Sequence, residues 1–268
     1  MAPLAMLLDT LDLETIDRDI FRGKTPPTRL QRVFGGQVAA QALVAAQRTV
    51  TDRMVQLHAY FLRPGQTDRS IVYEVDRIRD GRSYTTRRVV AIQNGRAIFN
   101  LQASFQVGEA GYEHQLPTPG DGVDPGALPE WQHRFHTDEP RAEPGPSVPF
   151  EVRWAAPAGG YDRLLWLRTV GRLSDDPTLH CSVAAYASDL TLLSVAYEPQ
   201  GPSMAEPSFV ASVDHAMWFH RPFRADEWML YAQETPSTGA GRGLTRGELF
   251  TRDGRLAVSV VQEIALRP

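Results

Sequence analysis

One phrase occurs twice in this chain, and its repetition limits the possible folds more than any other feature. LHAYFLRPG occupies residues 57–65, and VDHAMWFHRPF occupies residues 213–223. Each copy passes from a histidine through bulky apolar residues to an Arg-Pro pair, and the two prolines lie 158 positions apart (222 − 64). Because proline cannot continue a central strand, both copies predict a strand that stops at the same point.

A second pair of landmarks has nearly the same separation. Asn94-Gly95 and Asp253-Gly254 both carry a hairpin signal before the last strand-like run of their half, 159 positions apart (253 − 94). The chain has 268 residues, which is enough for two domains of about 130 residues each. Two landmarks with almost one offset predict a duplicated unit of structure.

Each half contains an Ala-rich run followed by four strand-like runs. Residues 34–50 (FGGQVAAQALVAAQRTV) predict a helix from about Gln37, and residues 180–198 (HCSVAAYASDLTLLSVAYE) predict a second helix. The predicted antiparallel strands cover residues 54–64, 70–81, 83–95, 96–106, 209–223, 227–239, 242–254 and 255–268. This order predicts an α+β fold, in which each helix lies across a curved antiparallel sheet and the two sheets join edge to edge.

Proline and glycine are concentrated between the halves, where they oppose both helix and strand. We therefore predict an N-terminal repeat at residues 1–108, a linker at residues 109–149 and a C-terminal repeat at residues 150–268. Within this linker, Trp131 and Phe135 predict that parts of it pack on the folded body.

Charge and cysteine content disfavour several classes of protein. The net charge of −4 disfavours a general nucleic-acid binder, and the single cysteine, Cys181, excludes an intramolecular disulfide framework. The first residues lack the basic region of a secretory signal, and no apolar run approaches the roughly 18 residues of a membrane span. We predict a soluble, cytoplasmic protein without nucleic-acid or membrane partners.

Six ordered segments resemble the acyl-CoA thioesterase II family, the TesB-like double-hotdog enzymes. The segments are RVFGGQVAAQAL, YFLRPG, RDGRSYTTRRVVAIQNG, YASDLTLL, DHAMWFHRPF and RDGRLAVSVVQE. The resemblance runs from about Leu11 to the end, and the linker is least similar. It implies a double hotdog, with two helix-plus-curved-sheet repeats in one chain, and hydrolysis of acyl-CoA to a free fatty acid and CoA without a cofactor or a metal.

The resemblance places the hydrolytic residues at Asp189, Ser212 and Gln262. It implies that Asp189 is the general base, and that Ser212 and Gln262 complete the hydrogen bonds of the attacking water. The family usually has threonine at the hydroxyl position; serine carries the same donor and acceptor group, so water binding should survive. Each residue also has an ordinary structural interpretation: a solvated carboxylate, a small strand residue and a buried amide that bonds its neighbours.

Strand alternation gives these positions a context. Gln262 interrupts an apolar face of the last predicted strand, and a buried amide needs partners. Alternation groups Ser212 with Val210 and Asp214, and it places His215 on the opposite face from Ser212. Asp214 and His215 remain a rival acid–base pair.

The glycine-rich start of the first helix predicts a candidate oxyanion site. The backbone amides of Gly36 and Gln37 would point outward with the positive end of the helix dipole behind them. A tight strand-to-helix turn would use the glycines equally well.

Other catalytic classes lose support because their motifs are absent. The sequence has no G-x-S-x-G, H-E-x-x-H, G-x-x-x-x-G-K-[ST] or strand-to-helix G-x-G-x-x-G segment. A hotdog hydratase or dehydratase remains an alternative, although its Asp-x-Asn-Pro-x-His signature is missing. A non-catalytic acyl-CoA binding protein is a second alternative. For the thioesterase we expect arginines at the rim to meet the CoA phosphates. The large apolar faces of hotdog sheets and helices predict a homo-oligomer.

Overall fold

The structure is a computed structural model that describes residues 2–28, 30–51, 54–120, 122–130, 149–196 and 209–267. Trp131 and Phe135, whose packing the sequence predicts, lie outside these residues. No helix in the described part of the chain is both long and apolar enough to cross a bilayer.

The first half contributes six antiparallel strands and two helices. Its elements are α1 (Pro3–Leu11), β1 (Glu14–Asp17), β2 (Ile20–Gly23), α2 (Gly35–Gln47), β3 (Met54–Phe61), β4 (Ile71–Asp80), β5 (Tyr84–Gln93) and β6 (Arg96–Gln106). Their order across the sheet is β1-β2-β4-β5-β6-β3, so the strand that follows α2 lies at one edge of this half. The sequence did not predict β1 and β2. Every residue of β1 is exposed, and no apolar alternation marks that strand.

The second half repeats this topology. Its elements are β7 (Phe150–Ala155), β8 (Arg163–Thr169), α3 (Pro177–Ser188), α4 (Leu192–Val195), β9 (Phe209–Ser212), β10 (Asp214–Phe219), β11 (Met229–Gly239), β12 (Arg242–Thr251) and β13 (Leu256–Arg267). Their order is β7-β8-β11-β12-β13-β10, with β9 paired to the far end of β13. Apart from β9, each strand occupies the place of its counterpart in the first half, which confirms the predicted duplication.

The two halves join through the phrase that occurs twice. β3 pairs antiparallel with β10, and His58 lies opposite Ala216, its own counterpart at the offset of 158 (216 − 58). Leu57 pairs with Met217, and Ala59 pairs with His215. His215 is the counterpart of Leu57 at this offset and Met217 is the counterpart of Ala59, so the offset maps each pair onto the other. A local twofold axis therefore passes between His58 and Ala216. The join removes one edge from each sheet, as predicted.

The helices α2 and α3 pack on each other inside the curved sheet. Small residues of α2, including Ala39, Ala40 and Ala42, are almost completely buried and let the helix approach its neighbours closely. One buried apolar cluster contains residues from both helices and both halves of the sheet. The two repeats therefore share a core.

Helix α3 is shorter than the sequence predicted. The helix expected over residues 180–198 begins earlier, at Pro177, and ends at Ser188, and α4 is a separate short turn; residues 197 and 198 lie outside the described residues. The last turn tightens because the N–H of Leu190 donates to the carbonyl of Ala187, three residues back. Helix α2 also begins slightly earlier than predicted, at Gly35.

The described part of the predicted linker lies against the second repeat. The side chain of Gln115 donates to the carbonyl of Gly254 at 2.8 Å and accepts from the N–H of Leu256 at 3.0 Å. A single 3-10 turn forms at Pro125–Ala127. The boundaries at residues 108 and 149 stay predictions.

Candidate active site

Asp189 lies where the end of α3 meets the start of α2. It is the residue at which α3 stops, and its Oδ2 accepts a hydrogen bond from the backbone N–H of Gly36 at 2.7 Å. Phe34, which precedes α2, provides no side-chain cap of its own. A carboxylate from the second repeat therefore caps a helix of the first repeat, where the positive end of the helix dipole favours it.

Two adjacent glycines make this approach possible. A Cβ atom on Gly35 would lie 2.8 Å from Oδ2 of Asp189, and one on Gly36 would lie 2.6 Å from the backbone oxygen of Tyr186. Neither distance leaves room for a side chain. From sequence, the glycine doublet indicated an oxyanion site or a tight turn; its close contact with a second helix was not predicted.

Gln262 connects the other two candidate residues. It lies in the middle of β13, fully buried, and its Nε2 donates to Oδ1 of Asp189 and to Oγ of Ser212, both at 2.8 Å. Because an ionised carboxylate only accepts hydrogen bonds, the amide nitrogen is the Gln262 atom that must face Asp189. Among the described residues, Oε1 of Gln262 has no hydrogen-bond partner. The structure thus brings Asp189, Ser212 and Gln262 into one group.

A bulge at Val213 sets the orientation of Ser212. On one face of β13, Val260 pairs with Met217 and Ile264 pairs with Ser212. The interval is four residues on β13 but five on the opposing strand, so one extra residue separates β9 from β10. The sequence treated residues 209–223 as one regular strand and could not place this break.

The bulge corrects two predictions about the rival pair. Ser212 and His215 lie on the same inward face, not on opposite faces, whereas Asp214 no longer shares the face of Ser212. His215 is nevertheless engaged elsewhere, because its Nε2 lies 2.9 Å from Oγ of Ser188. Asp214 accepts from the N–H of Glu263 at 2.6 Å. As adjacent residues of one strand, Asp214 and His215 point to opposite sides of the sheet.

Burial sets the protonation of these groups. It raises the pKa of Asp189 to about 6, although hydrogen bonds from Gln262, Gly36 and Ser212 lower it. Burial lowers the pKa of His215 to about 4, so that its imidazole is neutral at physiological pH. Asp189 is then mostly ionised near pH 7 and still basic enough to take a proton from water.

The proposed oxyanion donors have specific partners in this structure. The Gly36 amide donates to Asp189. The Gln37 side chain donates to the carbonyl of Lys24 at 3.2 Å and to Oγ1 of Thr25 at 3.1 Å, which ties the helix to the preceding chain. The role of the Gly36 and Gln37 amides at an oxyanion stays a prediction.

The other end of the helix pair, where α3 begins and α2 ends, has different side chains. At the start of α3, Asp176 caps its own helix by accepting from the N–H of Thr178 at 2.9 Å. At the end of α2, the position that corresponds to Asp189 is Arg48, whose side chain turns away to Asp12 at 2.8 Å. Only one end of the pair therefore has a carboxylate that reaches across it.

The described residues contain no group of three or more His, Cys, Asp or Glu side chains placed to hold a metal ion. His215 contacts Ser188, and His220 contacts Oγ of Ser259 at 2.9 Å.

Sequence comparison divides the chain as the fold does. The family described as "Acyl-CoA thioesterase" matches residues 150–264, and the family described as "Acyl-CoA thioesterase N-terminal domain" matches residues 24–106. Acyl-coenzyme A thioesterase 8 of Mus musculus is 40% identical, over 98% of this chain and 89% of that protein. Acyl-CoA thioesterase 2 of Haemophilus influenzae is 36% identical, over 97% of this chain and 96% of that protein.

Solved structures agree with these relatives. The acyl-CoA thioesterase II TesB2 from Mycobacterium marinum superposes with a TM-score of 0.82 at 43% identity, covering 97% of this chain and 98% of that one. A protein of Alicyclobacillus acidocaldarius with a hot dog fold superposes with a TM-score of 0.78 at 18% identity, covering 98% of both chains. The predicted double hotdog fold is confirmed.

Proposed function

This chain belongs to the acyl-CoA thioesterase family, and we propose that it hydrolyses acyl-CoA thioesters with a water molecule activated by Asp189, Ser212 and Gln262. The observation that carries the proposal is the pair of 2.8 Å hydrogen bonds by which Gln262 joins the other two side chains. The carboxylate of Asp189 is buried, ionisable near neutral pH and held by two N–H donors.

Asp189 supplies the base. Its two oxygens are fixed by the Gln262 side chain and the Gly36 amide, so the carboxylate cannot rotate away from a substrate. A water that donates one proton to Asp189 presents its lone pair to the thioester carbonyl carbon. The C–O bond forms as Asp189 takes the proton, and the C–S bond then breaks as that proton passes to the departing sulfur. The products are a carboxylic acid and the free thiol of CoA.

Ser212 and Gln262 hold the water. Both N–H groups of Gln262 are used, one on Asp189 and one on Ser212, which leaves its carbonyl oxygen and the Ser212 hydroxyl as contacts for water. Fixing the nucleophile in this way removes the entropic cost of bringing it to the carbonyl. A thiolate is a good leaving group, so no stronger nucleophile than water is required.

A cytoplasmic location and a homo-oligomeric state belong to the same proposal. The single cysteine of the chain is consistent with a reducing compartment. Large apolar side chains, including Tyr60 (55% exposed) and Leu62 (44% exposed), remain on the surface near the join of the two repeats, which supports self-association.

Replacement of the base tests the proposal directly. Asp189→Asn keeps the shape of the side chain and removes its basicity, so kcat for an acyl-CoA should fall roughly a hundredfold or more. The measurement is steady thiol release detected with a thiol reagent, with circular dichroism to confirm that the variant is folded. Asp214→Asn, which changes the rival carboxylate, is the matched control and should stay close to the wild-type rate.

The reverse result, with Asp214→Asn inactive and Asp189→Asn active, would transfer the base to Asp214. Absence of thiol release by the wild-type protein would leave the non-catalytic binding protein as the better description. Rapid quenching and mass spectrometry should find no acyl group on Ser212, because its hydroxyl contacts an amide and not a histidine base.

A further inference from the structure

Two arginines converge on one exposed aromatic ring outside the catalytic group. The guanidinium carbon of Arg267 lies 5.4 Å from the ring centroid of Phe209, and that of Arg32 lies 5.9 Å from it. Phe209 is 41% exposed, and both arginines lie at the surface. Within the described part of the chain, neither guanidinium has a hydrogen bond or a carboxylate within ion-pairing distance. Two positive charges are thus held together, and none of the described carboxylates pairs with them.

Two other arginines of the second repeat do have acidic partners. Arg242, on the strand beside β13, pairs with Glu263 at 3.0 Å. Arg221, at the repeated Arg-Pro pair, contacts Glu113 at 2.8 Å. Holding two like charges near one ring is unfavourable unless an anion offsets them or the aromatic face compensates, and cation–π attraction at an exposed site contributes only about 0.5–1 kcal/mol. The arrangement favours an anionic ligand.

Phe209 and Arg32 both lie close in sequence to residues of the catalytic group. Phe209 lies three residues before Ser212 on β9, about 10 Å at the rise of a strand. Arg32 lies four residues before Gly36, whose amide binds Asp189. Ser212 pairs with Ile264 on β13, and in the same register Phe209 pairs with Arg267. Because side chains alternate along a strand and Phe209 lies three residues from Ser212, its ring points to the opposite, outer side of the strand. The arginine pair therefore lies on the outer side of β9, about 10 Å along the strand from Ser212.

We propose that Arg32 and Arg267, held against Phe209, form the binding site for the phosphate groups of the CoA part of the substrate. The inference rests on the proposed function, because it takes the thioester as an acyl-CoA. A guanidinium stacked on a ring keeps its N–H donors at its edge, where they bind a phosphate in bidentate fashion. CoA carries its reactive sulfur at one end of a flexible arm and its phosphates at the other. That matches a catalytic group on the inner side of β9 and a positive pair on its outer side.

The test compares thioesters that differ only in the presence of the nucleotide. The substrates are an acyl-CoA and the same acyl group on N-acetylcysteamine, which retains the thioester and lacks every phosphate. For Arg32→Ala, Arg267→Ala and the double variant, the ratio of kcat/KM for the two substrates should fall, by about tenfold for each arginine, as expected for a lost hydrogen bond to a charged group. Arg82→Ala, an exposed arginine at the distant turn between β4 and β5, is the control and should keep the wild-type ratio.

A second measurement is independent of turnover. Calorimetric titration with free CoA should show a Kd raised about tenfold in each single variant, and the wild-type Kd should rise with salt because the contacts are between charges. A ratio and a Kd that stay at the wild-type values in the double variant would overturn the assignment. Failure of the catalytic proposal would look different: Asp189→Asn would hydrolyse both thioesters normally while the arginine variants still lost affinity for CoA.

Discussion

At the scale of single residues, Asp189 balances two opposing requirements. A carboxylate that is buried in an apolar interior loses its hydration, which raises its pKa, yet a base must remain ionised at working pH. The Gly36 amide and the Gln262 side chain provide enough hydrogen bonds to keep the pKa near 6. The contact of His215 with Ser188 does not offset its burial, and the imidazole is neutral. Two buried titratable groups of the same core thus differ in charge near pH 7, where Asp189 is mostly ionised and His215 is neutral.

The pKa of Asp189 predicts the acid limb of the pH–rate profile. Below pH 6 the carboxylate becomes protonated and cannot accept a proton, so kcat/KM should fall about tenfold per pH unit, to about a tenth of its plateau at pH 5. The folded pKa lies above the ordinary value of 3.8, so the folded state binds this proton more tightly than the unfolded chain does. The contribution of Asp189 to stability therefore falls as pH rises from about 4 to 6.

The loss of activity in acid consequently cannot come from unfolding through this group. Rates measured with an acyl-N-acetylcysteamine substrate, together with thermal unfolding at each pH, separate the two effects. An apparent pKa near 4 in the profile would show that Asp189 is more solvated than the structure indicates.

At the scale of secondary-structure elements, the contact between the start of α2 and the end of α3 determines the geometry of the site. Helix α2 begins without a side-chain cap from its own repeat, and α3 ends where its last residue turns toward α2. The helices run antiparallel, because Gln47 at the end of α2 contacts the carbonyl of Thr178 in the first turn of α3 at 3.2 Å. The start of α2 is therefore completed by a residue of the other repeat.

Gly35→Ala should damage this contact specifically. The new Cβ would lie 2.8 Å from Oδ2 of Asp189 and 3.0 Å from the ring of Phe61, so the carboxylate must move off the Gly36 amide. Since a displacement of about 1 Å at a catalytic group costs on the order of a hundredfold, kcat should fall by tenfold to a hundredfold. Gly239→Ala, where a Cβ meets open space, is the matched control and should leave kcat unchanged. Full activity in Gly35→Ala would show that the carboxylate tolerates a second position.

The elements also show what the sequence could reveal and why the rest was hidden. The strands after each helix follow apolar alternation and turn signals, and the sequence predicted them with small errors at their ends. The strands that precede the helices, β1, β2, β7 and β8, were missed, and so was the end of α3. β1 is exposed at every position, and α3 ends through a contact with another helix. Asp189, Ser212 and Gln262 were selected through family resemblance, and their catalytic role stays a prediction. The bulge at Val213 depends on a register between strands that no local pattern encodes.

At the scale of the whole molecule, the repeats form one folding unit. The sheet is continuous through β3 and β10, and the core contains side chains of both halves. The proposed catalytic group also draws on both, since the Gly36 amide comes from the first repeat and the three side chains come from the second. Neither half contains a complete site.

Residues 1–110 expressed alone should therefore aggregate or fail to fold. The fragment exposes the edge of β3 and the face of α2 that packs on α3, both of which are covered in the full chain. Size-exclusion chromatography and denaturant unfolding would check this. A soluble monomer with a cooperative unfolding transition would contradict the shared core and show that the first repeat is an independent domain.

The two ends of the helix pair show how a duplicated chain can give equivalent positions different roles. Two identical copies would present two equivalent ends, each subject to the same selection for chemistry. Here one end has Asp176, which caps its own helix, and Arg48, which occupies the position that Asp189 occupies at the other end. The end with Asp176 and Arg48 is constrained only by packing, so many substitutions there should be tolerated in evolution if the fold is kept. The end with Asp189 carries the additional constraint of enzyme activity.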